Sequence, residues 1–169
     1  MSETNWLNYD EKRAWRGLLR ATRALFDELG HDLATNAGLS MTDYEILVRL
    51  SEEPSRMMRM TELAASTGLS KSRLSHQMTR MESRGLTKRR DCETDARGQL
   101  AVLTDEGFGI LERAARGHVD SVRRHLFDHL TPDQVDSLAD WTEKVVKHLD
   151  PEGRGGPVLP EAAHRSTAC

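Results

Sequence analysis

Residues 60–86 read MTELAASTGLSKSRLSHQMTRMESRGL. A short helix is expected over Met60–Ser66, with Leu63 and Ala64 turned inward. Ala64 is small enough for a second helix to cross closely, and Gly68, four residues later, suits a sharp turn with positive φ. Leu69 fills the corner. Ser70 then caps a helix to about Arg84, whose core face is Leu74, Met78 and Met81, and Gly85 ends it. With that face buried, Ser70, Ser72, Arg73, His76, Gln77 and Arg80 are expected on the opposite, exposed side. These side chains suit the base edges and phosphates of a major groove, so the spacing describes a helix-turn-helix.

The next residues add a second probe. Leu86–Asp91 and Gln99–Leu103 read as two short strands joined by a polar, protruding turn, Cys92–Gly98. Lys88, Arg89 and Arg90 lead into this hairpin and Arg97 sits at its tip, placed to meet flanking phosphates or a minor groove. Asp95 is spaced to hold a neighbouring arginine by a bidentate pair. Between Lys71 and Arg90 seven basic residues (Lys71, Arg73, Arg80, Arg84, Lys88, Arg89, Arg90) face one acid, Glu82. The net charge of −3 therefore conceals a basic segment suited to a polyanion. A merely solvated helix face is the plainer reading of that run, but scattered surface charge would not also respect the turn glycine and the core spacing. Which side chains read bases, and which only position the helix, stays open.

Long helices flank this unit. The first is expected over about Asp10–Ala37, with Trp15, Leu18, Leu19, Thr22, Phe26, Leu29 and Leu33 in one stripe and Gly38 closing it. A second begins near Thr42, where Thr42 and Glu45 have capping-box spacing, buries Tyr44, Leu47, Val48 and Leu50, and ends at Glu53-Pro54. After Thr104 a long helix should reach about Leu130, with Phe108, Leu111, Ala115, Val119, Val122 and Leu126 on one face. Thr131-Pro132-Asp133-Gln134 starts the last helix, which should bury Val135, Leu138, Trp141, Val145 and Leu149. From Pro151 the chain is rich in glycine and proline and reads as a flexible tail.

The stretches Met60–Leu86 and Arg89–Thr104 (RRDCETDARGQLAVLT) resemble the MarR-type regulators, and Asp95-Ala96-Arg97-Gly98 is similar to that family's D-x-R-G wing signature. The resemblance extends more weakly over about Asp10–Leu149. It implies a mainly α, winged helix-turn-helix protein with a two-stranded β-wing and long N- and C-terminal dimerisation helices. It divides the chain into an N-terminal dimerisation arm (1–37), a DNA-binding domain (38–104), C-terminal dimerisation helices (105–150) and a tail (151–169). It also implies a homodimer on a pseudo-palindromic duplex operator, acting as a repressor that a small ligand releases. Lys71 joins the DNA-contacting set named above.

Composition allows two readings of these helices. The chain has 169 residues, 37% hydrophobic and 5% aromatic, with 30% charged. That mix suits a helical protein with much solvated surface, or one whose helices finish burying their apolar faces against a partner chain. No stretch approaches the ~20 apolar residues of a membrane span, and the first ten residues hold no basic region followed by an apolar run. The expectation is a cytoplasmic protein with no membrane partner. Cys92 and Cys169 make no disulfide framework and fit a reducing compartment.

Other constellations in the sequence carry weaker signals. His125 and His129, four apart, would share a helix face and begin a zinc site, with His118 as a further donor and a metal-responsive regulator as the consequence. Two ligands are too few, and an exposed or interface-lining pair explains them more simply. Cys92 lies among basic residues that would lower its pKa, yet a tolerated surface thiol explains it as well. Trp15, Arg16, Arg20 and Tyr44 are candidates for a small aromatic or anionic effector, the pocket being an implication of the resemblance, against a plain core role for the rings. No cofactor is required. An enzyme would need a nucleophile with its base, paired carboxylates or a phosphate-cradling loop; Gly107 and Gly109 stand alone, and no G-x-S-x-G or H-E-x-x-H occurs. A helical interaction module using its basic hairpin on a protein surface is the remaining alternative.

Overall fold

The computed structural model describes residues 4–92 and 95–153, apart from the side chains of residues 92–97. Six helices dominate: α1 (Tyr9–Ala37), α2 (Met41–Glu52), α3 (Met60–Ser66), α4 (Lys71–Ser83), α5 (Asp105–His125) and α6 (Pro132–Leu149). Strands β1 (Met57–Arg59), β2 (Thr87–Cys92) and β3 (Asp95–Leu103) form one antiparallel sheet in the order β1-β3-β2. The expected hairpin is β2–β3. The added strand β1 pairs Met57 with Val102 and Arg59 with Leu100. Three residues are too few to show a period of two, so periodicity could not reveal it.

Local chemistry sets the helix ends. Asn8 caps α1 by accepting from the Glu11 N–H (2.9 Å), while Glu11 accepts from the Asn8 N–H (2.7 Å). At the far end Gly38 takes φ +64° and closes on Ala34 O (3.1 Å), a conformation that glycine adopts without a Cβ penalty. Helix α2 starts one residue before the expected position. Its capping box is Ser40 with Asp43 rather than Thr42 with Glu45, because Ser40 is the last extended residue and Thr42 already lies in the first turn. The Thr131–Gln134 box opens α6 as read.

The core is built between Leu33 and Ala114. Leu39, Ile46, Leu47, Leu50, Leu63, Leu74, Met78, Met81 and Ala101 are fully buried, joined by Leu86, Leu103 and Leu111. Helix α5 enters this core through Gly107, where a Cβ would stand 2.1 Å from Leu86 O. That glycine is a packing requirement of the corner between α4 and β2. Thr104 braces the same corner, its hydroxyl donating to Gly85 O (2.7 Å) and accepting from the Gly107 N–H (2.9 Å).

Two long helices depart from expectation. Helix α5 stops at His125; Leu126 leaves the helical region, and Phe127–His129 form a 3₁₀ turn. Its buried face is Gly107, Leu111, Ala114 and Ser121, so the expected stripe is rotated, and Val119 is 56% exposed. In α6 no residue is buried: Val135 and Leu138 are half-buried, while Trp141, Val145 and Leu149 are exposed. The face that periodicity marked as core has no covering surface within one chain.

Candidate nucleic-acid interface

The turn between α3 and α4 has the anticipated construction. Ala64 is buried, Gly68 takes φ +63°, and the Leu69 N–H returns to Ala64 O (3.0 Å). Ser70 Oγ accepts from the Arg73 N–H (3.3 Å), starting α4. Since Leu74, Met78 and Met81 are wholly buried, helical geometry sends Lys71, Ser72, Arg73, His76 and Arg80 outward, and all five are exposed, as is Ser70. Arg73, His76, Gln77 and Arg80 line an open depression of about 340 Å³ together with Ser40 and Thr42 of α2 and Leu69. Ser40 was not named from sequence, and Thr42 stood there only as a helix-start residue.

Gln77 corrects the sequence reading. It is 8% exposed, and its Nε2 donates to Asp43 Oδ1, while its Oε1 accepts from Arg80 Nη2. Asp43 is itself buried, and its Oδ2 accepts from the Ser40 N–H (3.0 Å) and from Arg84 Nη1 (3.1 Å). Arg84 also donates to Gly38 O (2.8 Å). Asp43 and Arg84 were missed as site residues. The signal in the sequence is the S-x-x-D box at 40–43, two residues before the Thr42–Glu45 spacing.

Arg89 is the second correction. Its guanidinium donates to Glu82 Oε2 (2.7 Å), Ser75 O (2.6 Å) and Thr79 Oγ1 (3.2 Å), so it braces β2 against α4 instead of standing free. Strand alternation explains the difference: Arg89 shares a face with buried Thr87, whereas Lys88 and Arg90 point the other way and are exposed. The side chains of Asp95, Arg97 and Cys92, and all of Cys169, lie outside the described residues.

The effector candidates do not converge within one chain. Trp15, Arg16 and Arg20 are exposed on the first half of α1. Tyr44 is half-buried, its ring 4.5 Å from that of His118. His118 lines a cavity of about 40 Å³ between α1 and α5 with Asp32, Asn36 and Arg113. At a rise of ~1.5 Å per residue, Trp15 and Asn36 are ~30 Å apart along α1. The cavity has room for a water or two and none for an aromatic ring. Burial pushes the Tyr44 hydroxyl pKa up and the His118 pKa down, and His118 Nδ1 has no partner among the described residues.

The histidine pair is also separated. Because α5 ends at His125 and His129 lies in the 3₁₀ turn, the two do not share the face of one continuous helix. His125 Nε2 instead lies 3.1 Å from Asp32 Oδ2, which also accepts from Arg124 Nη2 (2.7 Å) and from the Ser121 hydroxyl. The Ser121 bond holds the Asp32 carboxyl below its usual range; burial opposes it, and His125 and Arg124 reinforce it. Among the described residues no cluster of three or more His, Cys, Asp or Glu is placed to hold a metal ion. No described helix is long and apolar enough to cross a membrane.

Known proteins share this arrangement. The MarR family model matches residues 39–98, from Leu39 into β3 of the wing. Sco3205 of Streptomyces coelicolor, a MarR family transcriptional regulator whose structure was determined in complex with DNA, is 43% identical with a TM-score of 0.84, over 95% of this chain and 98% of that one. AbsC, a MarR family transcriptional regulator of the same organism, is 47% identical with a TM-score of 0.82, over 88% of this chain and 99% of that one. The HTH-type transcriptional regulator PecS of Dickeya dadantii (strain 3937) is 25% identical over 134 residues, 79% of this chain and 80% of that protein. With the turn, α4 and the wing in this order, the chain belongs to the MarR family of transcriptional regulators.

Proposed function

We propose that the protein is a cytoplasmic, ligand-responsive repressor that binds a pseudo-palindromic duplex operator sequence-specifically as a homodimer. The observation that carries this reading is α4: complete burial of Leu74, Met78 and Met81 turns Arg73, His76 and Arg80 onto one exposed surface. That surface has the donors that base edges and phosphates require, with Lys88 and Arg90 of the wing adding positive charge beside it. The DNA bound to Sco3205 supports the assignment of partner.

Homodimerisation is supported by the faces one chain leaves uncovered. Trp15 and Leu19 (each 52%) and Phe26 (54%) on α1, with Trp141, Val145, Val146 and Leu149 on α6, remain exposed. A second copy presenting the same faces covers them about a two-fold axis. That symmetry places the two α4 helices in successive major grooves, with half-site centres ~10 bp apart. An effector entering between the dimer helices and the DNA-binding unit would act by changing that spacing.

Selection of bound duplexes from a random pool tests the proposal. An inverted repeat with half-sites about one helical turn apart is expected, and a pool with no enriched motif contradicts it. On the selected duplex, Arg73→Ala or Arg80→Ala should each weaken binding by about 10- to 100-fold, the range for loss of one good base or charged phosphate contact. Unchanged affinity for both variants rejects α4 as the reading helix.

A further inference from the structure

We infer that Asp43 is a positioning residue that sets the sequence selectivity of α4 by fixing the orientation of Gln77 and, through it, of Arg80. The inference rests on the duplex-binding reading above. It comes from the chain of hydrogen bonds linking the α1–α2 corner to the exposed face of α4. Asp43 and Gln77 are 4% and 8% exposed, so their contact is shielded from water. The direction of the chain follows from donor chemistry. An ionised carboxylate only accepts, so Asp43 Oδ1 draws the Nε2 end of Gln77 inward, leaving Oε1 to accept from Arg80 Nη2. Asp43 is held in turn: Oδ2 takes the Ser40 N–H (3.0 Å) and Arg84 Nη1 (3.1 Å), and Arg84 is tied to Gly38 O (2.8 Å) at the end of α1.

The consequence falls on selectivity more than on general affinity. An unrestrained arginine reaches whichever phosphate is near and loses its rotamer freedom on binding. With its guanidinium tethered to Gln77, Arg80 meets the duplex along one direction, and part of its ordering cost is met before DNA arrives. Asp43→Asn reverses the logic. Its amide can donate to Gln77 Oε1, turning the Gln77 amide so that Nε2 faces the Arg80 guanidinium, donor against donor.

The test uses the full-length chain, the duplex obtained by selection and an unrelated duplex of equal length, with binding followed by fluorescence anisotropy at one salt concentration. Asp43→Asn is expected to lower the ratio of the two affinities about ten-fold or more, the discrimination carried by one well-placed contact. Affinity for the unrelated duplex should stay within about three-fold, since the phosphate-facing cations are untouched. On an Arg80→Ala background, Asp43→Asn should change the ratio no further. Gln77→Leu leaves Asp43 with its Ser40 and Arg84 contacts, and should reproduce the loss of ratio even where Asp43→Asn disturbs folding.

A role confined to stability would lower the melting temperature of Asp43→Asn with the ratio intact, or weaken both duplexes in parallel, and either outcome overturns the inference. So does a wild-type ratio in Gln77→Leu. A wild-type protein with no preference between the duplexes overturns the duplex-binding reading itself and this inference with it. A wild-type preference that both variants retain overturns this inference alone.

Discussion

Between Leu33 and Ala114 the chain completes its own core: Leu47, Leu63, Leu74 and Met78 have no exposed surface. Helices α6 and α1 also carry apolar stripes in sequence, yet they leave Trp15 at 52%, Phe26 at 54% and Leu149 at 72% exposure. The α3–β3 unit gathers short elements whose turns fold them back on one another, so each apolar face meets another nearby in sequence. The long helices have no such return. An apolar stripe says that a face will be covered, and only topology says whether the same chain covers it.

The largest effect should come from the uncovered helices. Trp141→Asp with Val145→Asp would put four charges into the proposed two-fold interface, where burial of an apolar side chain contributes about 1.5–3 kcal/mol. Association should weaken on the order of a thousand-fold or more, read as a shift from dimer to monomer in sedimentation velocity at micromolar protein. Unchanged sedimentation would mean that α6 is covered in another way.

A smaller effect separates the regions directly. Leu74→Ala should cost about 3 kcal/mol of unfolding free energy by denaturant titration, and the same cost should persist in the Trp141→Asp/Val145→Asp background. Phe26→Ala should destabilise the wild-type assembly and lose most of that cost once the chains are separated. Equal costs for Phe26→Ala in both backgrounds would erase the distinction.

The helix-turn-helix unit was legible because its signals are local and redundant. Ala64, Gly68 and Ser70 mark the turn, and Leu74, Met78 and Met81 set the buried face of α4. The side chains that the structure reassigns depend on partners far along the chain. Gln77 is turned in by Asp43, 34 residues away, and no periodicity encodes that pairing. Arg89 belonged to a basic run, but strand alternation turned it toward Glu82 and Ser75 while its neighbours Lys88 and Arg90 stayed out. The His125–His129 spacing lost its meaning when α5 ended at His125, a break with no proline or glycine to announce it.

The smallest expected effect lies where the two regions meet. Burial holds His118 below its ordinary value of 6.5, so the unfolded chain binds more protons than the folded one once pH falls through that value. His118 therefore leaves stability unchanged above about pH 6.5 and erodes it as pH falls from there toward the lowered folded value. His118→Phe keeps a ring against Tyr44 without the titration. Its unfolding free energy should be flatter than wild type across that acidic window; identical profiles would remove His118 from the pH response.

Titration of the full-length chain against the selected duplex and a shuffled duplex at about 50 and 200 mM salt puts the α4 assignment at risk in one experiment. Both affinities should fall steeply with salt through loss of phosphate contacts, while the selected duplex keeps a preference on the order of a thousand-fold. Equal affinities at both salt concentrations, or no binding to either duplex, would contradict it.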